Sequence, residues 1–355
     1  MKIVLSSKRD RLLVKVCAFL IMAALLAAMA GCPGGYNPPP SQNLEIRTWY
    51  DLDAVRDNLA GNHTLMNDLN STTPGYEELA GPTANNGTGW EPIGWGDWTT
   101  GPTLFGEIFK GSFDGQGHEI RDLFISRSVS AEEGLFGCVG KGGIIRNLGA
   151  VNATVTASQD VEGLVRFNEG TIDSLDVAVI RAAGILVGFS MGSVSDSYAS
   201  GAVSGDVYVG GLVGQNAGTV NNSYSIANVT GTSGVGGLVG TNGGMIYAGT
   251  VTNSYSRGNV TGYEYVGGLV GKNQGSWPGE DFYGAVSDSF WDTETSGQTA
   301  SAGGTGKNTT EMQDITTFSG AGWNITAVAL NETSPAYIWN IVNNLTYPFL
   351  SWQPI

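Results

Sequence analysis

"HEIRD", His118 to Asp122, is the stretch of this chain nearest to a catalytic motif. A zinc peptidase of that pattern needs two histidines four residues apart on one helical face, with the glutamate as general base. Here Asp122 stands where the second histidine is required, and the chain's other histidine is His63. The segment reads as a strand, so even a shared face would not reproduce the helical ligand spacing. "GGTGKN", residues 303–308, grazes a calcium-binding nonapeptide repeat, but it occurs once and has Asn308 where aspartate is wanted. Carboxylate pairs for glycoside hydrolysis or a calcium-dependent lyase can be drawn from Asp196 with Asp288, or Glu280 with Asp281. Carboxylates at equivalent repeat positions are more simply a ladder, and no Arg and Lys cluster is at hand to stabilise a carbanion-like intermediate. No catalytic residue, metal ligand or cofactor is assigned. Trp90, Trp95 and Trp98, in "GWEPIGWGDWTTG" at 89–101, are the candidate ligand contacts. Exposed indoles stack on sugar rings and anchor interfaces; the alternative is that these three pad the junction before the first repeat.

Composition narrows the classes of function. Glycine supplies 54 of 355 residues and charged residues only 14%, which suits a folded chain of many turns and few helices. Residues 1–31 read as an export signal: a basic start, an apolar run from Val16 to Ala30, and small residues in "AMAGC" before Cys32. That ending resembles a bacterial lipobox, in which the cysteine carries lipid and becomes the first residue, with Met29 where leucine is commoner. Fifteen apolar residues fall short of the ~20 that span a bilayer. Loss of the signal removes five basic residues and one acidic residue, leaving 12 basic and 31 acidic residues and a net charge of −19. Nucleic acid and anionic lipid surfaces, which need concentrated Lys and Arg, are poor partners for such a chain. With Cys17 in the signal and Cys32 expected to hold lipid, Cys138 is left for the core, and no disulfide framework or cysteine metal site can be built. The prolines of 33–43 then make an extended spacer.

A repeat accounts for most of the remainder. Aligned on one leucine, the phrase recurs at Leu135, Leu164, Leu186, Leu212, Leu238 and Leu269, at intervals of 22 to 31 residues. A second signature follows the last four, with an aromatic at Tyr198, Tyr224, Tyr255 and Phe290. Periods in the twenties mark stacked units that bury their apolar faces against one another. Glycine density and the many Val, Thr and Tyr residues exclude helical repeats, and the leucine-rich repeat spacing is missing. Short runs such as "GGLVG", "TVNNSYS" and "ANVTG" predict three brief strands per unit, joined by tight corners, as in a parallel β-helix of about seven coils. Gly210 and Gly211, Gly236 and Gly237, and Gly267 and Gly268 are expected at a corner that demands positive φ. Gly214, Gly240 and Gly271 complete the phrase around the interior leucines Leu212, Leu238 and Leu269. Asn222, Asn253, Asp196 and Asp288 are expected to form a second, polar ladder.

"GGLVGQN", "GGLVGTN" and "GGLVGKN" resemble the GLUG motif of long secreted and surface proteins, including the N-terminal parts of some IgA-specific metallopeptidases. "FKGSFDGQGHEIRDLFI" at 109–125 and the helix-then-strand opening at 46–70 are similar to segments that precede such repeats in adhesin-like β-helices, with Thr48 as N-cap and Gly61 as stop. The resemblance covers roughly 44–355 and stops short of any peptidase domain. It implies an all-β fold, a right-handed parallel β-helix, with a short N-terminal capping helix and an aromatic C-terminal cap over the last coil. The expected organisation is a signal at 1–31, lipidated Cys32 and linker at 32–43, a Trp-rich N-terminal cap at 44–106, coils at 107–298, and a loop and cap at 299–355. The expected role is a non-enzymatic, lipid-anchored surface protein, adhesin-like or structural in the envelope, binding extracellular glycan or surface protein and no nucleic acid. The alternative is a carbohydrate-active lyase or hydrolase, which a cluster of carboxylates in a groove on neighbouring coils would favour.

Overall fold

Three-residue strands with a buried centre and polar flanks are the building unit. Phe113, Ile145, Ile172, Val194, Val220 and Val251 are each wholly buried at the middle of such a strand. β-branched and aromatic centres suit a pleated surface covered on one face. In the computed structural model, residues 43–96, 106–126, 134–156, 163–181, 186–244, 247–277 and 280–353 are described. The chain is all-β, mostly strands in parallel sheets with few helices, an arrangement consistent with a β-helix. Cys32 and the whole signal and linker lie outside the described residues, as does Trp98.

Each repeat lends one strand to each of several sheets. In one unit Val213–Asn216 joins sheet C, Thr219–Asn221 joins sheet A and Tyr224–Ser225 joins sheet B. Every one pairs in parallel with its counterpart one repeat away, in matching register: Val213 with Val239, Val220 with Val251, Tyr224 with Tyr255. Three later units add a strand to sheet D, at Val207–Gly210, Ser233–Gly236 and Glu264–Gly267. The run "TVNNSYS" is therefore two strands, not the single strand expected. Its hinge is Asn222, at φ 48°, and Asn147, Ser174, Asp196, Asn253 and Asp288 take the same left-handed conformation between sheets A and B. Asn and Asp enter that region more readily than other residues with a Cβ.

The expected location of positive φ is thus corrected. The glycine pairs 210–211, 236–237 and 267–268 do not adopt it. Five of them are glycines because backbone passes too close for a Cβ: one built on Gly210 would lie 1.9 Å from the Val213 carbonyl oxygen, and one on Gly237 would lie 2.1 Å from that of Gly268; at Gly268 it is the Trp291 ring that leaves no room. The interior leucines Leu212, Leu238 and Leu269 are wholly buried, linked by amide-to-carbonyl bonds of 2.9 Å from Leu212 to Leu238 and from Leu238 to Leu269.

Two further polar ladders stabilise the corners. Ser197, Ser223, Ser254 and Ser289 are buried; each hydroxyl donates to a carbonyl two residues back. Each also accepts a backbone N–H from the preceding repeat, at 3.1 to 3.2 Å. A corner interrupts the strand ladder, and the serine satisfies the amide that would otherwise be buried alone. The asparagine closing each phrase does similar work: Asn216 donates to Asn242, and Asn242 to Asn273, at 2.8 and 2.9 Å.

At the N-terminal end Thr48 and Asp51 form a capping box for the helix Trp49–Asp53, and a 3-10 turn, Ala54–Asn58, continues it. Trp49, Leu52 and Val55 join the core, and strands Glu45–Ile46 and Asn62–Leu65 extend sheet A.

The C-terminal aromatic segment departs from its expected place over the last repeat. It lies along the outer face of sheet B, where Tyr198, Tyr224 and Tyr255 stack with ring centroids 4.9 to 5.0 Å apart. Trp323, Trp339 and Phe318 pack on this ladder and on Phe290. The Tyr255 hydroxyl donates to the Pro348 carbonyl at 2.6 Å. The reason is chemical, since three stacked rings and Phe290 offer far more apolar area than one strand edge. The last sheet C strand is met instead by Ser301, whose Oγ accepts the amides of Leu269 and Val270.

Candidate functional site

One column of sheet B changes character along the molecule. Register pairs Glu119 with Gly149, Gly149 with Asp176, Asp176 with Tyr198, and Tyr198 with Tyr224, so acids and a glycine precede the aromatic ladder in a single line. The C-terminal segment covers the aromatic half and ends beside Tyr198. There the Trp352 indole N–H donates to the Asp196 carbonyl at 3.2 Å and its ring lies 6.1 Å from that of Tyr198. The uncovered half is a groove of about 680 Å³, lined among others by Asp114, Glu119, Asn147, Asp176 and Trp352. Gly149 keeps the floor low, because a Cβ there would come 2.5 Å from the Glu119 Cγ.

The carboxylates of this groove are not equivalent. Burial alone would raise the Asp114 carboxyl, but hydrogen bonds from Asn147, the Gln116 amide and Arg146 outweigh it and hold the group below its usual range. Glu119 pairs with Arg121. Asp176 is raised, first by burial and further by the charge of Glu119, while a hydrogen bond from the Tyr198 hydroxyl works in the opposite direction. Glu119 and Asp176 stand two strands apart, roughly 10 Å between backbones. An exposed indole, amide and carboxylate acceptors, and a shallow open floor together suit a polar, ring-containing ligand.

The residues singled out from the sequence fall as follows. Trp90 is wholly buried beside Trp49 and donates its indole N–H to the Leu135 carbonyl, so it is a core residue and not a surface contact. Trp95 is half exposed, with its backbone amide bonded to Glu107. In "HEIRD", residues 119–121 form a strand; His118 lies 3.3 Å from Asp68, and Asp122 turns the chain at φ 60° while accepting from Asn152. Among the described residues no group of three or more His, Cys, Asp and Glu could hold a metal ion. Asp196 and Asp288 occupy the same corner, with Asn222 and Asn253 between them, roughly 14 Å apart at strand spacing and so not a catalytic pair. "GGTGKN" supplies the strand Thr305–Lys307, and Asn308 then caps a short helix through Glu311. Trp352, Glu119 and Asp176 were not legible as a site. The signal was the aromatic column continued upstream, where Asp176 and Gly149 replace tyrosine.

No family model matches the chain. Over 170 residues, 47% of its length, it is 32% identical to "Halomucin" of Haloquadratum walsbyi. Over 139 residues, 38% of its length, it is 34% identical to a "Putative Gly-rich membrane protein" of Evansella cellulosilytica. These matches span 2% and 14% of the two relatives. Among solved structures, the crystal structure of a "putative immunoglobulin A1 protease" from Bacteroides ovatus superposes with a TM-score of 0.56 at 18% identity, covering 88% of this chain and 93% of that one. At that identity the likeness bears on the fold. Among the described residues no helix is long and apolar enough to cross a membrane.

Proposed function

We propose that this chain is an exported surface lipoprotein that binds glycan through the side of its repeat array, in the manner of an adhesin. In this reading residues 1–31 direct export, Cys32 carries the lipid, and 33–43 hold the folded part away from the membrane. The array is a right-handed parallel β-helix of about seven GLUG-like coils. Resemblance to a named membrane protein and to a halomucin supports display outside the cell. The observation that carries the binding role is the groove whose floor is Glu119, Gly149 and Asp176 and whose wall is Trp352. The strong negative charge favours neutral or cationic glycans there. The test is a panel of immobilised polysaccharides probed with the purified chain. A saturable ligand is expected, with Trp352→Ala lowering its affinity by roughly tenfold or more. A blank panel, or full binding by a folded Trp352→Ala variant, would remove the groove as the site.

A second reading is a carbohydrate-active enzyme, and one observation favours it: two carboxylates in unlike surroundings share the groove. Asp176 is raised towards an acid's role while Glu119 is ion-paired. Their backbone separation is of the order found between inverting pairs, ~6.5–9.5 Å between carboxyl groups. Release of new reducing ends from a bound polysaccharide, abolished by Asp176→Asn and by Glu119→Gln, would establish it. Binding without release leaves the adhesin.

A further inference from the structure

Each strand of sheet D holds one residue in the left-handed region: Tyr208 at φ 57°, Gly234 at φ 68° and Tyr265 at φ 51°. Register sets the three side by side, because Val207, Ser233 and Glu264 align before them and Val209, Val235 and Val266 after them. We infer that the two tyrosines form an exposed platform whose rings bind alternate sugars of an extended, neutral, β-1,4-linked polysaccharide. The platform is a site apart from the acidic groove and does not depend on it.

The argument starts from the backbone. A bulky residue at positive φ is an outlier, whereas glycine takes that conformation freely. The middle strand uses glycine, in "GVGG", while the strands on either side open the same phrase as "YVGG". Tyrosine is therefore held at both places against the preference of the backbone, a kind of strain that concentrates at binding sites. Burial does not offset it, since Tyr208 is 41% exposed and Tyr265 is 58% exposed. Neither ring belongs to a core cluster, and neither hydroxyl is hydrogen-bonded among the described residues.

The spacing of the rings specifies the ligand. Two strand steps, roughly 9.6 Å, separate Tyr208 from Tyr265. That is about the length of one disaccharide in an extended β-1,4-linked chain, so each ring meets every second sugar. Tyrosine rings stack on the apolar face of a pyranose. Gly234 keeps the gap between them low, because a Cβ there would come 3.3 Å from the Tyr208 ring and 3.0 Å from the Thr241 hydroxyl. The Lys272 ammonium lies 5.2 Å from the centre of the Tyr265 ring and covers one face, so the exposed face is the opposite one. Ser233, Glu264 and Lys272 put polar groups around the rings, which suits sugar hydroxyls; a protein anchor or a lipid surface calls for a continuous apolar patch. The strong negative charge of the chain favours an uncharged polymer.

Cellohexaose, maltohexaose and glucose, titrated calorimetrically into the full chain, test this directly. Cellohexaose should bind saturably. Maltohexaose, whose α-linkages curl the chain, and glucose, which reaches one ring only, should each be weaker by roughly tenfold or more. Tyr208→Gly and Tyr265→Gly copy the residue of the middle strand. Each should hold or raise the unfolding midpoint while lowering cellohexaose affinity by roughly tenfold. Tyr208→Phe and Tyr265→Phe keep the ring and should bind nearly as well as the parent. The same pattern should hold in a Trp352→Ala chain, and binding that disappears with Trp352 belongs to the groove and overturns the platform. The inference is also overturned by no cellohexaose uptake, by equal affinity for maltohexaose or glucose, or by full binding in either Gly variant. A lowered midpoint in the Gly variants would make the rings structural and overturn it as well.

Discussion

Replacing Asp196 with Asn will stabilise the protein at pH 7 by about 1–2 kcal/mol, and most of the gain will disappear by about pH 4. Asp196 sits at the corner between sheets A and B at φ 46°, a conformation that Asn147, Asn222 and Asn253 adopt at equivalent corners, so the backbone accepts the change. Its carboxyl is pushed up to about 6, first by burial and then by the like charge of Asp173 on the neighbouring strand, against a hydrogen bond from Asn222. One carboxyl oxygen is buried and accepts no hydrogen bond. The folded-state pKa therefore lies above the unfolded value near 3.9, and the folded chain holds a proton that the unfolded chain has lost. Stability must rise as the pH falls from 7 through 6 towards 4, where the folded carboxyl is protonated and the unfolded one about half so, and most of the cost is gone. The full shift corresponds to ~3 kcal/mol, reduced here because Asp196 keeps some contact with solvent. Denaturant midpoints for the two proteins at pH 7.5 and 4.0 give the answer. A gain that is equal at both values would assign the effect to something other than charge, and a loss at pH 7.5 would sink the account. Asp288→Asn, at the same corner but exposed, should move the midpoint by less than ~0.5 kcal/mol.

The corner also shows how far the sequence was legible. Leu212, Leu238 and Leu269 could be aligned because identical units must present identical apolar side chains to the units above and below. The all-β class followed from the same periodicity. Which residue turns the chain did not follow. Glycine is the default expectation for positive φ, yet the corner uses Asn, Asp and Ser, and the glycine pairs answer a steric demand that no single unit displays. That demand comes from a carbonyl three residues on and from the neighbouring repeat, contacts that exist only after stacking. The groove was hidden for a related reason. Glu119, Gly149 and Asp176 occupy one column with Tyr198, but unlike chemistry in equivalent positions breaks the alignment that would reveal the column. Sites in a repeat array lie where the repeat changes, and pattern matching is weakest there.

A large destabilisation is expected from a single methyl group at the first glycine of the pair. Gly236→Ala places a Cβ 2.0 Å from the Val239 carbonyl oxygen and 2.6 Å from the Gly271 amide nitrogen, and Gly210 and Gly267 face the same crowding from Val213 and Val270. All of these are backbone atoms committed to ladder bonds, so no side-chain rotation relieves the overlap. Relief requires parting the strand Ser233–Gly236 from Val239–Asn242, and each unit is in register with its neighbours on both sides. A cost of about 3 kcal/mol or more is expected, against the ~1–2 kcal/mol that a left-handed backbone alone costs a residue with a Cβ. Gly117→Ala separates the two explanations. Gly117 has φ +82° but nothing within 4 Å of its missing Cβ, so the change should cost only the ~1–2 kcal/mol of a left-handed backbone. If positive φ were the demand on glycine throughout this chain, Gly117→Ala would be the more damaging substitution and Gly236→Ala the milder. If close approach is the demand, as the contacts require, the order is reversed, and the damage from Gly236→Ala should spread. The amides of Leu238, Val239 and Gly240 and of their partners one repeat away should exchange with solvent faster, while the helix at Trp49–Asp53 keeps its protection.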